Sequence, residues 1–238
     1  MLHVYSRLRG ARAKVCLLLG VVLSLLSRTA WAEPLSLDGV VVYPAREPGQ
    51  HGITVVLHGM CGHPENACSH FEEQVTAREH LLCPRASQRC DGGGFIWPQR
   101  GFAEAIESSV QRALIALAER ADPARGRTLI GYSLGAFRAL ELAERGAGRY
   151  PRVMLIGAKI LPNQKRLREA GVDRLLLSAG RADMMHAHMQ REARRLLRSG
   201  YGARFLELGS AGHFFTPSFQ DYLPQALDWL EQGPAPVG

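Results

Sequence analysis

The chain has 238 residues, with 29 Lys and Arg against 22 Asp and Glu, and a formal charge of +7. That excess sits at the start: residues 1–32 hold Arg7, Arg9, Arg12, Lys14 and Arg28 and no acidic side chain. The remainder carries about +2 and lacks the basic footprint that nucleic-acid binding requires, while its roughly 206 residues suffice for one compact domain.

The basic leader is followed by an apolar run over 15–26 and by Ala30-Trp31-Ala32, small residues two apart just before Glu33. This pattern predicts a secretory signal peptide cleaved after Ala32. The run is shorter than the roughly 20 residues of a spanning helix, so no stable membrane insertion is expected after cleavage. Cys16 opens the run and is not placed for lipid modification. The expected location is secreted or periplasmic, with 33–238 a single domain.

Strands are predicted over 40–43 and 53–57, adjacent to each other across a turn bearing Pro44, Pro48 and Gly49. His58-Gly59-Met60-Cys61-Gly62 follows, then a helix over 64–78 and a strand over 81–83 stopped by Pro84. A long loop contains Asp91-Gly92-Gly93-Gly94-Phe95-Ile96-Trp97-Pro98. It ends where a helix over 102–120 begins, with Ile106, Val110, Ala113, Leu114 and Leu117 on one face. Leu129-Ile130 reads as a buried strand leading into Gly131-Tyr132-Ser133-Leu134-Gly135, after which a helix runs to 145. Strands over 153–156, 174–178 and 203–208 then alternate with helices over 161–170, 184–198 and 219–230. Continuously apolar strands separated by helices imply an α/β fold, a mostly parallel doubly wound sheet covered on both faces.

Four cysteines follow the leader, Cys61, Cys68, Cys83 and Cys90. An even number in an exported chain predicts two disulfides. The local pairs Cys61 with Cys68 and Cys83 with Cys90 are favoured because each closes a small loop beside a strand end; crossed pairing stays open. These gaps do not match structural zinc spacing despite His58, His63 and His70 nearby, and His186 and His188 fall on different faces of a helix. No metal or cofactor is expected, and His63, His70 and His80 read as surface or loop residues.

Ligands of parallel sheets collect outside the carboxyl ends of the strands. Those ends present His58-Gly59-Met60-Cys61, Ser133, Asp183 and Gly212-His213. In a chain with 25 glycines the G-x-S-x-G pentapeptide alone carries little weight. Its companions add the rest: Ser178-Ala179-Gly180-Arg181-Ala182-Asp183, Gly209-Ser210-Ala211-Gly212-His213 and His58-Gly59. With these motifs in the order Ser, Asp, His, the sequence resembles the α/β-hydrolase family across nearly the whole chain after the leader.

The resemblance implies a nucleophile Ser133, a base His213 and an orienting carboxylate Asp183, with Asp173 and Asp221 in reserve. A serine hydroxyl needs a base to take its proton, and the imidazole needs a carboxylate to hold its tautomer. Asp183 is also placed to cap the helix after it. The oxyanion donors implied are the backbone N–H of Leu134 and one from Met60 or Cys61. A disulfide at Cys61 would stiffen that loop. Phe95, Trp97, Phe214 and Phe215 are candidates for lining the substrate pocket, Trp97 and Phe214 foremost, with core packing the alternative.

Between the strands at 153 and 174 there is room for one short helix, so the lid that many lipases of this family insert there has no place. A small or extended soluble ester is the expected substrate. Pro84-Arg85-Ala86, the glycine-rich loop and Trp97 resemble the small carboxylesterase and dienelactone-hydrolase-like branches, though Ser133 departs from the cysteine nucleophile of the latter. The expected activity is a secreted serine carboxylesterase. Acyl transfer, thioester or peptide cleavage, and a binding protein without turnover are the other readings of the same residues.

Overall fold

In the structure, a computed structural model, residues 33–232 are described except Pro123 and Ala147; the expected leader lies outside them. The strands are β1 (Leu35–Leu37), β2 (Val40–Tyr43), β3 (Ile53–Leu57), β4 (His80–Pro84), β5 (Gln88–Arg89), β6 (Phe95–Ile96), β7 (Thr128–Tyr132), β8 (Arg152–Ile156), β9 (Arg174–Ala179) and β10 (Ala203–Glu207). The helices are α1 (Pro64–Ser69), α2 (Glu72–Thr76), α3 (Phe102–Leu117), α4 (Leu134–Ala143), α5 (Gln164–Glu169), α6 (His186–Arg198) and α7 (Phe219–Glu231). Eight strands form one sheet in the order β1-β2-β4-β3-β7-β8-β9-β10, and β5 and β6 pair separately. The pairings β1/β2 and β2/β4 are antiparallel and the others in the large sheet parallel.

The central strands read as unbroken apolar runs because both faces are covered, and alternation still decides which face each residue serves. Val55, Leu57, Leu129, Val153, Leu155, Leu175 and Leu177 point to a core shared with α3, α4 and α6. Val56, Ile130, Met154, Ile156 and Leu176 point to the opposite core, closed by Phe71, Val75 and α7. Burying each such side chain stabilises by about 1.5–3 kcal/mol, so both layers hold the sheet. The register sets up the carboxyl edge: Leu57 pairs with Gly131, Tyr132 with Ile156, Ile156 with Ser178, and Ala179 with Glu207. The loops after β3, β7, β8, β9 and β10 therefore leave the sheet side by side.

Several expectations are corrected. β2 and β3 are not neighbours: β4 lies between them, pairing antiparallel with β2 and parallel with β3. A short turn in sequence does not fix spatial adjacency when a later apolar strand can pair with both. The helix expected over 64–78 is split into α1 and α2 at His70–Phe71, where Phe71 turns wholly into the core. The disulfides are Cys61–Cys90 and Cys68–Cys83, nested rather than local, with Cα separations of 5.7 and 5.9 Å. The pairing follows the tertiary fold: Cys68 on α1 packs against β4, which carries Cys83.

His80 is likewise neither surface nor loop. It is fully buried on β4, where Nδ1 accepts from the Ala45 N–H (2.8 Å) and Nε2 faces the Arg120 carbonyl at 2.7 Å, so Nε2 bears the hydrogen. No helix among the described residues is long and apolar enough to cross a membrane.

Burial lowers the pKa of His58, His70 and His80. A folded-state imidazole pKa below the unfolded value, about 6.5, means that the unfolded chain binds the extra protons as pH falls. Full stability is thus present above the unfolded value and is lost on acidification from there towards the folded values. Urea unfolding between pH 8 and 5 should show stability declining below about pH 6.5, and a flat profile would contradict the buried neutral assignment.

Candidate active site

The turn from β7 to α4 places Ser133 at φ +53° and ψ −118°, a backbone conformation that L residues rarely adopt. Two close approaches force it. A Cβ on Gly131 would lie 2.7 Å from Ala136 Cα, and one on Gly135 would lie 2.6 Å from the His58 carbonyl oxygen and still closer to that of Leu57. Strand, helix and the end of β3 therefore cross with no room for side chains. The Ser133 N–H donates to the Ile156 carbonyl at 2.9 Å, which pins the turn to the end of β8.

Asp183 leaves β9 after Gly180, and its side chain is buried at 3% exposure. Its Oδ1 accepts from the Met185 N–H at 2.8 Å, while Oδ2 lies 2.8 Å from His213 Nδ1. A carboxylate only accepts, so Nδ1 carries the hydrogen and Nε2 presents its lone pair. That Nε2 is 2.9 Å from Ser133 Oγ. The three residues expected as a triad are thus brought into one chain of hydrogen bonds. The arrangement can draw the Ser133 proton onto the imidazole while the buried carboxylate offsets the positive charge. α6 begins only at His186, so Asp183 fastens the turn ahead of the helix instead of capping its first residue. The reserve acids are elsewhere: Asp173 precedes β9 and Asp221 lies in the first turn of α7.

Two residues hold the base that sequence reasoning passed over. Tyr132 donates its hydroxyl to the His213 carbonyl at 2.7 Å and stacks on the His213 ring at 5.2 Å between centroids. Burial, helped by the Asp183 charge, raises its pKa and keeps the phenol a donor. Gly157, at φ +62° after β8, leaves the space: a Cβ there would stand 3.0 Å from both Asp183 Oδ2 and His213 Cε1. The middle residue of G-x-S was a signal for Tyr132; Gly157 had none short of the fold.

The loop after β3 lies against Ser133, since a Cβ on Gly59 would be 3.4 Å from Ser133 Cβ. It is held from behind. His58 Nδ1–H donates to the Gly59 carbonyl (2.7 Å), Nε2 accepts from the Ala86 N–H (3.2 Å), and the Trp97 indole N–H donates to the His58 carbonyl (2.8 Å). The Trp97 and His58 rings stack 4.8 Å apart. Phe95 N–H donates to the Gly62 carbonyl at 2.9 Å, and the Cys61–Cys90 disulfide ties the same loop to the β5–β6 hairpin. Cys61 sits at φ +51°, and Met60 projects to 67% exposure. Leu134 opens α4, so its N–H is among those with no acceptor inside the helix.

Trp97 is therefore not a pocket wall: at 3% exposure it belongs to the core behind the loop. Phe95 packs under the hairpin, flanked by the guanidinium groups of Arg85 and Arg89. Phe214, 62% exposed, borders a hollow of about 10 Å³ beside Asp183. Its neighbour Phe215 reaches a cavity of about 190 Å³ next to the loop, walled also by Phe71, Tyr132, Met60 and α1. His63 and His70, read as surface or loop residues, line that cavity. Among the described residues no group of three or more His, Cys, Asp or Glu is placed to hold a metal ion.

Replacing Gly157 with Ala should lower stability by about 1–2 kcal/mol, from the left-handed backbone and the contact with the Asp183–His213 pair. The urea midpoint measures it, and an unchanged midpoint would refute the packing argument.

No protein-family model matches the sequence, and no curated protein matches it. Solved structures do. The esterase PE8 is similar with a TM-score of 0.61 at 19% identity, over 79% of this chain and 97% of the other. Acyl-protein thioesterase 2 of Zea mays gives 0.56 at 21% identity, over 79% and 97%. FphF, a fluorophosphonate-binding serine hydrolase of Staphylococcus aureus, gives 0.62 at 10% identity, over 84% and 97%. With its mostly parallel eight-stranded sheet and the serine turn after β7, the chain has the α/β-hydrolase fold.

Proposed function

We propose that this chain is a serine hydrolase that cleaves carboxylic esters through an acyl-enzyme. One observation carries the reading: the continuous relay from buried Asp183 through His213 to Ser133 Oγ, with steps of 2.8 and 2.9 Å. Ser133 Oγ attacks the ester carbonyl carbon as its proton passes to His213 Nε2. The tetrahedral oxygen takes its negative charge towards the N–H groups of Leu134 and Met60, with that of Cys61 the adjacent donor. Collapse expels the alcohol, which takes the proton from His213. A water deprotonated by the same nitrogen then releases the acid and restores Ser133.

The connection from β8 to β9 carries only the six-residue α5, which favours an uncapped site open to small or extended soluble esters. The two disulfides favour an oxidising compartment, in keeping with export by the leader over 1–32.

Wild-type protein should react with a fluorophosphonate probe and hydrolyse 4-nitrophenyl acetate. Ser133→Ala should abolish labelling and lower kcat by about 10³-fold or more, and Asp183→Asn by a comparable factor through the wrong tautomer. Labelling of the alanine variant at the wild-type rate would end the proposal. A thioester and an anilide beside the oxygen ester would separate ester cleavage from thioester and amide cleavage.

A further inference from the structure

The cavity of about 190 Å³ beside the Gly59–Gly62 loop has two unlike walls. One is aromatic. Phe215 stands 4.7 Å from Tyr132 and 5.8 Å from Phe71 between ring centroids, and all three border the space. The other is α1 with its two caps, presenting His63, Asn66 and His70 at helical spacing. The His70 ring packs 4.5 Å from Phe215, where the two walls meet, and the His63 ring stands edge-on to Phe95 at 5.7 Å, while the Asn66 amide makes no hydrogen bond to another described residue and faces solvent.

Size and chemistry narrow the guest. A cavity of about 150 Å³ accommodates benzene, and pockets for drug-sized ligands run from about 300 Å³ upward. The space matches one six-membered ring with a small substituent. Flat aromatic walls favour a ring laid against them. The amide of Asn66 both donates and accepts, and burial favours a neutral His70 ring that does the same. A hydroxyl, itself donor and acceptor, replaces the water that a guest displaces from such a wall, where a bare hydrocarbon does not.

We infer that this cavity binds a hydroxylated aromatic ring of the ester substrate, its face on Tyr132 and Phe215 and its hydroxyl on Asn66 and His70. The inference rests on the serine-hydrolase reading of Ser133 and names the substrate class for that site. The ring is carried on either the acyl or the alcohol side, because the cavity adjoins the loop at the reacting carbonyl and both halves of an ester meet there.

Matched ester pairs test it. On the acyl side these are methyl 4-hydroxyphenylacetate, methyl phenylacetate and methyl hexanoate; on the alcohol side, 4-hydroxybenzyl, benzyl and hexyl acetates. In one series the hydroxylated ring should give the highest kcat/KM, roughly tenfold above the linear ester and several-fold above the bare ring, consistent with one satisfied hydrogen bond. The series that shows this identifies the side. Asn66→Leu and His70→Phe should each bring the hydroxyl-to-bare-ring ratio towards one, a change that general loosening of the fold does not produce. Preference for the linear esters in both series, or a ratio unmoved by both substitutions, overturns the inference. Fluorophosphonate labelling of Ser133 in the same preparation separates the two failures. Labelled enzyme without ring preference defeats only the aryl site, whereas unlabelled protein that turns over no ester defeats the hydrolase reading and the aryl site with it.

Discussion

Everything at the carboxyl edge of the sheet depends on three backbone segments approaching closer than side chains permit. Gly131 on β7 meets Ala136 on α4, and Gly135 meets the last carbonyls of β3 and the His58 loop. Between them Ser133 takes a positive φ. A conformation of that kind costs about 1–3 kcal/mol and persists only because its surroundings over-determine it. Here they include the hydrogen bond from the Ser133 N–H to the Ile156 carbonyl and the two packed cores on either side of the sheet. The same crowding that strains Ser133 brings Gly59 against it, so Ser133 and the loop are positioned by one event.

The support behind the loop is built differently, from buried polar groups that find partners within the protein. His58 uses both ring nitrogens and its carbonyl on protein partners, and Trp97 closes over it. A buried polar side chain left half-paired would be costly, so this corner tolerates few arrangements. Tyr132 plays the matching part on the opposite flank, fixing the His213 segment through its carbonyl while its ring supports the imidazole. The loop and the base are therefore each braced by an aromatic residue with one polar contact.

Much of this was legible in the sequence where the information is local. Continuous apolar runs placed the central strands and a period of 3.6 the long helices, and Ser133, Asp183 and His213, which the structure joins by hydrogen bonds, were singled out because each follows a strand whose end can be read directly. What escaped was set at long range. The place of β4 between β2 and β3, the burial of His80, and the withdrawal of Trp97 from the pocket into the core depend on which distant segment fills a space. Spacing carries no information about that. Phe71 shows the limit well: a helical pattern continues through it, yet the helix is interrupted there and its ring is seated in the core.

The nesting of the disulfides has a consequence for how the protein comes to be. Cysteines joined in sequence order would link Cys61 to Cys68, and both native bridges would then be reached only by exchange. The inner pair becomes inert once α1 packs on β4, for Cys68 and Cys83 are wholly buried there, whereas Cys61 stays exposed. Maturation therefore has a natural order, with the inner bridge locked by folding and the outer one still open to thiols. A mild reductant acting on the folded molecule meets the bridge that tethers the loop beside Ser133 before it meets the buried one.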